Sequence, residues 1–239
     1  MSTSPARTLT VLPLVLAPAL MGAALLTDIT PRADDTRALL ELIAREPGAW
    51  SMGQTLFFLS AVMWVPAGLL LMRWFGSEAR VGRGAAAAVV VGGLAVLPVD
   101  AAGLYLRELA SSGIPLEQQV SLVERVESSP TLLVFEAVHI AGLFVGLVIV
   151  GIAMLRHPGL PRWAGALVIG GMITMVAAPS GPLLAVAAAL LVVGLTIAAV
   201  KMGRLAQHAR TGDPEGANRA PTTRGQSVHQ SGSYQKLDR

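Results

Sequence analysis

The chain has 239 residues, of which 53% are hydrophobic and 14% charged, with a mean hydropathy of +0.61 and a formal net charge of +3. A soluble domain holds roughly 45–50% apolar and about 25% charged residues, so this balance belongs to a membrane-embedded chain. No cysteine is present, which excludes disulfides, thiolate nucleophiles, iron–sulfur clusters and cysteine-held zinc; with one mid-span histidine and lysines only at Lys201 and Lys236, a bis-histidine haem and a retinal-type Schiff base fall away too.

The first apolar run, near 9–26, is long enough for a bilayer, which a helix crosses in about 20 residues. A cleaved signal peptide is its rival, although no small-x-small cleavage site precedes Thr27-Asp28. Thr30-Pro31 and Asp34-Asp35 then signal a helix start and Pro47-Gly48 a stop. Between them Thr36, Leu39, Leu40 and Ile43 share one helical face, which predicts an amphipathic helix at the membrane surface. The second span is expected near 52–72, bent at Pro66. A basic hairpin with Arg73, Arg80 and Arg83 leads into the third span, near 84–106, where Pro98 lacks a backbone donor and predicts a kink just inward of Asp100.

Leu116, Val120, Val123 and Val126 mark a second amphipathic helix, closed by Ser128-Ser129-Pro130. The fourth span, near 131–155, carries Glu136 and His139 one turn apart, where hydrocarbon penalises them. A basic turn from Arg156 to Trp163 precedes the fifth span, near 162–178, and Pro179 to Pro182 turns the chain into the sixth, near 183–201. Residues 1–204 thus form the transmembrane domain, and the polar composition of 205–239 predicts a disordered cytoplasmic tail.

Orientation follows from the short loops. The segments assigned to the inside hold Arg7, Arg73, Arg80, Arg83, Arg156 and Arg162 against a single acid, Glu78, and Lys201, Arg204 and Arg210 add to that side. Both termini are therefore predicted cytoplasmic, in a bacterial inner membrane; abundant Ala, Gly and Arg beside two Lys is the compositional sign of a bacterial source. The fold class expected is all-α, a polytopic bundle of about six spans with two amphipathic helices on the extracytoplasmic side.

At about 1.5 Å of rise per residue, Asp100, Glu136 and His139 fall in the outer third of the bilayer, in a layer shared with Gln54, Tyr105 and Thr174. These six are the candidate ligand-binding residues. In one reading the three ionisable groups satisfy one another and fix helix register; in the other they form a ligand or proton site open to the outside. Glu136-x-x-His139 has the spacing of carboxylate-bridged di-iron bundles, but those use two such motifs and more carboxylates, so neither a metal nor a cofactor is expected. Gly142 and Gly146 predict close helix packing within the bundle. Trp50, Trp74 and Trp163 sit where interfacial anchors would, while Trp64, at mid-span, suits the core or a pocket wall. No phosphate loop, nucleophile elbow, zinc-protease motif or dinucleotide fingerprint occurs, and no nucleic-acid partner is expected.

From Gly146 to Gly171 an apolar helix ending in Met154-Leu155-Arg156, the junction Gly159-Leu160-Pro161-Arg162-Trp163 and a further Gly-rich span follow one another. This stretch resembles the second half of small bacterial multi-span proteins of the domain-of-unknown-function-4386 family. The resemblance implies a bundle of six or so spans and, because that family has no assigned activity, no site residues. In size and in its intramembrane acids the chain is also similar to the membrane-bound terpene cyclases of meroterpenoid pathways, from which it departs in an aromatic content of only 5%. The leading expectation is a non-enzymatic protein that binds or moves a small lipophilic or cationic ligand, with membrane lipid as its surroundings. Behind it stand an enzyme using Asp100 and Glu136 as catalytic acids on an isoprenoid substrate, and a structural or signalling partner without a ligand.

Overall fold

The computed structural model describes residues 5–75, 79–177 and 182–211. Among these the regular structure is helical throughout, with no strand. Helix α1 spans Pro5–Thr27, α2 Thr36–Arg45, α3 Pro47–Phe75, α4 Arg80–Ala110, α5 Leu116–Glu127, α6 Pro130–His139, α7 Gly146–Arg156, α8 Arg162–Ala177 and α9 Pro182–Thr211. Between α6 and α7 the chain stays helical but widens into a π-helical segment, Ile140–Val145, so α6 and α7 form one continuous column.

Local chemistry sets the starts. The Asp35 carboxylate accepts from the Ala38 N–H at 2.7 Å and caps α2. Ser129 accepts from the Leu132 N–H at 3.3 Å with Pro130 in the first turn, and so caps α6. The stop expected at Pro47-Gly48 is real for α2, which ends at Arg45, yet Pro47 also opens α3, since a proline needs no donor in a first turn. Pro66 and Pro98 lie inside α3 and α4, both of which are helical without interruption; the departure from α geometry comes at Ile140, where no proline stands.

Among the described residues four helices are long and apolar enough to cross a membrane, Pro47–Phe75, Arg80–Ala110, Pro130–Arg156 and Leu183–Arg204, which makes the chain an all-helical membrane-embedded protein. Two shorter apolar helices, Leu12–Thr27 and Arg162–Ala177, accompany them. The six columns pack in sequence order and close on themselves: α1 on α3, α3 on α4, α4 on the α6–α7 column, α7 on α8, α8 on α9, and α9 back on α1. Each column sends buried side chains to a common core, among them Leu14, Trp64, Val89, Leu147, Val168 and Leu191.

Helices α2 and α5 pack at the end of the bundle where α4 finishes. Ile29, Ile43 and Trp50 form a small apolar plug there, with Leu106 and Ala110 of α4 against it. Trp50 is thereby not an interfacial anchor: it is buried, and its indole N–H donates to the Gly103 carbonyl at 2.9 Å. In α2 the buried residues are Leu40 and Ile43, as the pattern predicts; in α5 they are Gln119 and Val123, while Val126 is half exposed. Gln119 is buried because its amide donates to the Ile114 carbonyl at 2.7 Å and closes the start of the helix. Arg37 of α2 pairs with Glu117 of α5, and Arg32 grips Glu46 through two hydrogen bonds of 3.1 and 2.6 Å. The Arg32 hydrogen bond holds the Glu46 carboxyl below the usual carboxylate range, and the hydrogen bond to Glu117 raises Arg37 above the usual guanidinium range. Both pairs are solvent-exposed, where ion pairs contribute little stability. Glu78, residues 179–181 of the expected turn and the tail from 212 onward lie outside the described residues.

At the other end, the His157 ring lies on Trp74 with centroids 4.3 Å apart, and its Nδ1 accepts the Gly159 N–H at 3.1 Å. Burial lowers the His157 pKa from the ordinary histidine value of 6.5. The folded protein then binds fewer protons here than the unfolded chain, so this turn gains stability as pH rises through the window between the lowered value and about 6.5, and loses it on acidification. The thermal midpoint of the wild type is expected to fall further than that of His157→Asn between pH 7.5 and 5; parallel curves would remove His157 as the source.

Candidate functional site

On α3, Phe57, Ser60, Ala61 and Trp64 fall on one face at helical spacing, and all four line a cavity of about 250 Å³ inside the ring. Every column contributes to its wall, through Met21, Trp64, Asp100, His139, Met175 and Leu184. The lining is mainly apolar and includes three aromatic rings, Phe57, Trp64 and Phe144. The cavity lies in the half of the bundle nearer α2 and α5, since Met175 is close to the end of α8 and Leu184 close to the start of α9.

His139 reaches this place because two backbones come unusually close. A Cβ on Gly142 would fall 2.6 Å from the Ala88 carbonyl oxygen and 2.7 Å from the Gly92 nitrogen, and one on Gly92 would collide with the Leu143 nitrogen. Only a glycine at both positions lets the π-helical segment lie directly on α4. With the backbones this near, His139 Nδ1 sits 3.1 Å from the Gly92 carbonyl. A carbonyl can only accept, so Nδ1 carries the hydrogen, which leaves Nε2 as the acceptor position of the neutral ring. The ring also meets Phe144 edge to face, with centroids 5.9 Å apart.

Asp100 and Trp64 are the unpaired groups of the wall. Asp100 makes no hydrogen bond or ion pair with another described residue, His139 included. Trp64 is 1% exposed, and its Nε1–H is the single buried side-chain polar atom among the described residues that lacks a partner. Ser60, by contrast, is satisfied: its hydroxyl donates to the Ala17 carbonyl at 2.8 Å and ties α3 to α1. Among the described residues no group of three or more His, Asp or Glu side chains is placed to hold a metal ion.

Of the six residues predicted from depth, Asp100 and His139 line the cavity and the other four do not. The Gln54 amide lies against Gly103, beside the Trp50 hydrogen bond. Tyr105 is 74% exposed, and the Thr174 hydroxyl is used on the Gly170 carbonyl of its own helix at 2.8 Å. Glu136 is exposed on α6 and has no hydrogen-bond or ion-pair partner among the described residues. It belongs to an acidic edge instead: burial, then Glu124 and Glu136, push the Glu127 carboxyl above the usual range. Glu136→Gln is accordingly expected to leave binding in the cavity within about twofold of wild type, a difference under roughly 0.5 kcal/mol of the kind surface changes produce. A tenfold loss in titration calorimetry would return Glu136 to the site.

The residues that depth alone misses are Trp64 and its companions Phe57 and Ser60. Their signal is present as the i, i+3, i+7 stripe on α3, aromatic and polar residues repeating on one helical face of an apolar span. No family model, no curated protein and no solved structure matches the chain.

Proposed function

We propose that the chain is a bacterial inner-membrane protein of six spans, with both termini cytoplasmic and α2 and α5 on the extracytoplasmic side, which binds and moves a small lipophilic or cationic ligand through the Asp100 cavity. The orientation rests on the arginine-rich short loops. The ligand reading rests on one observation: a carboxyl group without a protein partner stands on the wall of a mainly apolar cavity that is also lined by Trp64, whose buried indole N–H has no partner among the described residues. Burying a polar group without a partner costs free energy, and an unpaired carboxylate costs more than an unpaired amide or indole. A ligand carrying a positive charge removes the cost at Asp100, and one that also carries an acceptor oxygen removes the cost at Trp64. A network that merely fixed helix register would have Asp100, Glu136 and His139 bonded to one another, and they are not.

The test is uptake of benzylammonium by proteoliposomes. Saturable uptake above protein-free vesicles is expected, and uptake equal to theirs would overturn the transport reading. A second reading has specific support: Phe57, Trp64 and Phe144 supply the aromatic wall that carbocation chemistry needs, beside one carboxylic acid. It requires that an epoxidised isoprenoid be consumed by the purified protein and not by Asp100→Asn. The likeness to the domain-of-unknown-function-4386 family rests on Gly146–Gly171 and bears on architecture alone.

A further inference from the structure

The fourth column is packed very unevenly along its length. Its α7 half buries Gly146, Leu147, Val150, Gly151 and Met154 and packs on both α4 and α8, whereas its α6 half buries no residue and packs on α4 and α5. In the ring, the place beside α6 opposite α4 belongs to the last turns of α8, whose Ile173 and Val176 are 61% and 69% exposed. Among the described residues the wall of six columns is therefore weakest between α6 and α8. That weak side coincides with the depth of the cavity, which His139 and Phe144 line from one edge of the gap and Met175 from the other.

Size makes the same point. The cavity, about 250 Å³, is smaller than the roughly 300–1,000 Å³ of pockets that enclose a drug-sized molecule. It has room for the head of an amphiphile and none for a long chain as well. The unpaired groups specify the head: Asp100 asks for a cation, and the Trp64 N–H for an acceptor.

We propose that the cavity is filled sideways from the bilayer, between α6 and α8, by a single-chain amphiphile whose head carries an ammonium for Asp100 and a hydroxyl or ether oxygen for Trp64, while its hydrocarbon stays in the gap and the lipid beyond. This rests on the ligand-binding reading of the cavity and narrows it to one ligand class and one route. Both elements that flank the gap expose aliphatic side chains, Val134 and Val138 on α6 and Ile173 and Val176 on α8, which a hydrocarbon chain wets as readily as lipid does.

The test uses the full-length protein in nanodiscs and four probes: 2-(dodecylamino)ethanol, dodecylammonium, dodecanol, and the amino alcohol bearing a diazirine at the end of its chain. Concentrations are referred to the bilayer phase so that partitioning cancels. The amino alcohol is expected to bind saturably and at least tenfold more tightly than dodecanol, with that preference lost in Asp100→Asn. Photolysis is expected to place adducts on α6 and on the last turns of α8, protected by excess unlabelled amino alcohol. Trp64→Phe removes the N–H and keeps a smaller aromatic ring, and should weaken the amino alcohol several-fold more than it weakens dodecylammonium. Saturable ammonium binding with adducts confined to cavity residues away from the gap, such as Met21 and Leu25, or spread evenly over all columns, would overturn the lateral route and leave the ligand-binding reading standing. Absence of saturable binding by any ammonium probe, benzylammonium included, would overturn both.

Discussion

Asp100→Asn is expected to weaken benzylammonium binding roughly 10- to 100-fold and to leave benzyl alcohol, which has the same shape without the charge, almost unaffected. The magnitude comes from the interaction removed: a hydrogen bond involving a charged group contributes about 1.5–3 kcal/mol net, and each 1.4 kcal/mol is a factor of ten in affinity. Asparagine occupies nearly the volume of aspartate, so the cavity wall and its packing persist, and only the charge is lost. Because Asp100 has no partner among the described residues, its replacement breaks no internal bond. The thermal midpoint without ligand should hold or rise, since an unpaired carboxylate in apolar surroundings is a cost to the fold. Titration of both ligands into wild type and variant decides the matter. Equal losses for the ammonium and the alcohol would mean that the carboxyl group shapes the cavity and does not recognise charge.

Gly142→Ala is expected to be among the most damaging single-methyl changes in the bundle. Its added carbon would fall within 2.8 Å of the Ala88 oxygen and of the Gly92 nitrogen and Cα, all of them backbone atoms that cannot rotate away. Overpacking against movable side chains costs about 1–3 kcal/mol, and a backbone-to-backbone contact belongs at or above the top of that range. The columns must separate to relieve it, which also draws His139 off the Gly92 carbonyl. Gly170→Ala is the matched control, because nothing lies within 4 Å of the carbon it would add. Unfolding in dodecyl sulfate should shift strongly to lower denaturant for Gly142→Ala and hardly at all for Gly170→Ala. Similar shifts for the two would show that helix propensity, and not the α4 contact, sets the cost.

The spans were legible because hydropathy is a property of composition over a window, and a window of about 20 residues averages away local error. Asp100 and His139 were legible for a related reason: an ionisable group inside an apolar run is conspicuous wherever its helix is turned. Direction around the axis was harder to read. Residues 136 and 139 differ by about 60° on an α-helix, which looks like one face. Because α6 packs mainly on α4, that difference is enough to put His139 against α4 and leave Glu136 outside. Depth likewise grouped Tyr105 and Thr174 with the site, although one points away from the protein and the other bonds its own helix. Trp64 carried the opposite ambiguity, since a mid-span tryptophan suits a packed core as well as a pocket wall, and only its missing hydrogen-bond partner separates the two.

The widened turn at Ile140–Val145 has a consequence for comparing this chain with others. A wide turn accommodates one residue more than the α-helix around it. A relative that kept the whole span as plain α-helix would match this one with a single residue missing between Ile140 and Val145. Span length and apolar content would barely change, yet the two halves would be rotated against each other by about 100°. An alignment scored on apolar runs would then be one frame out across half the span, and the column that should read histidine would hold its neighbour instead.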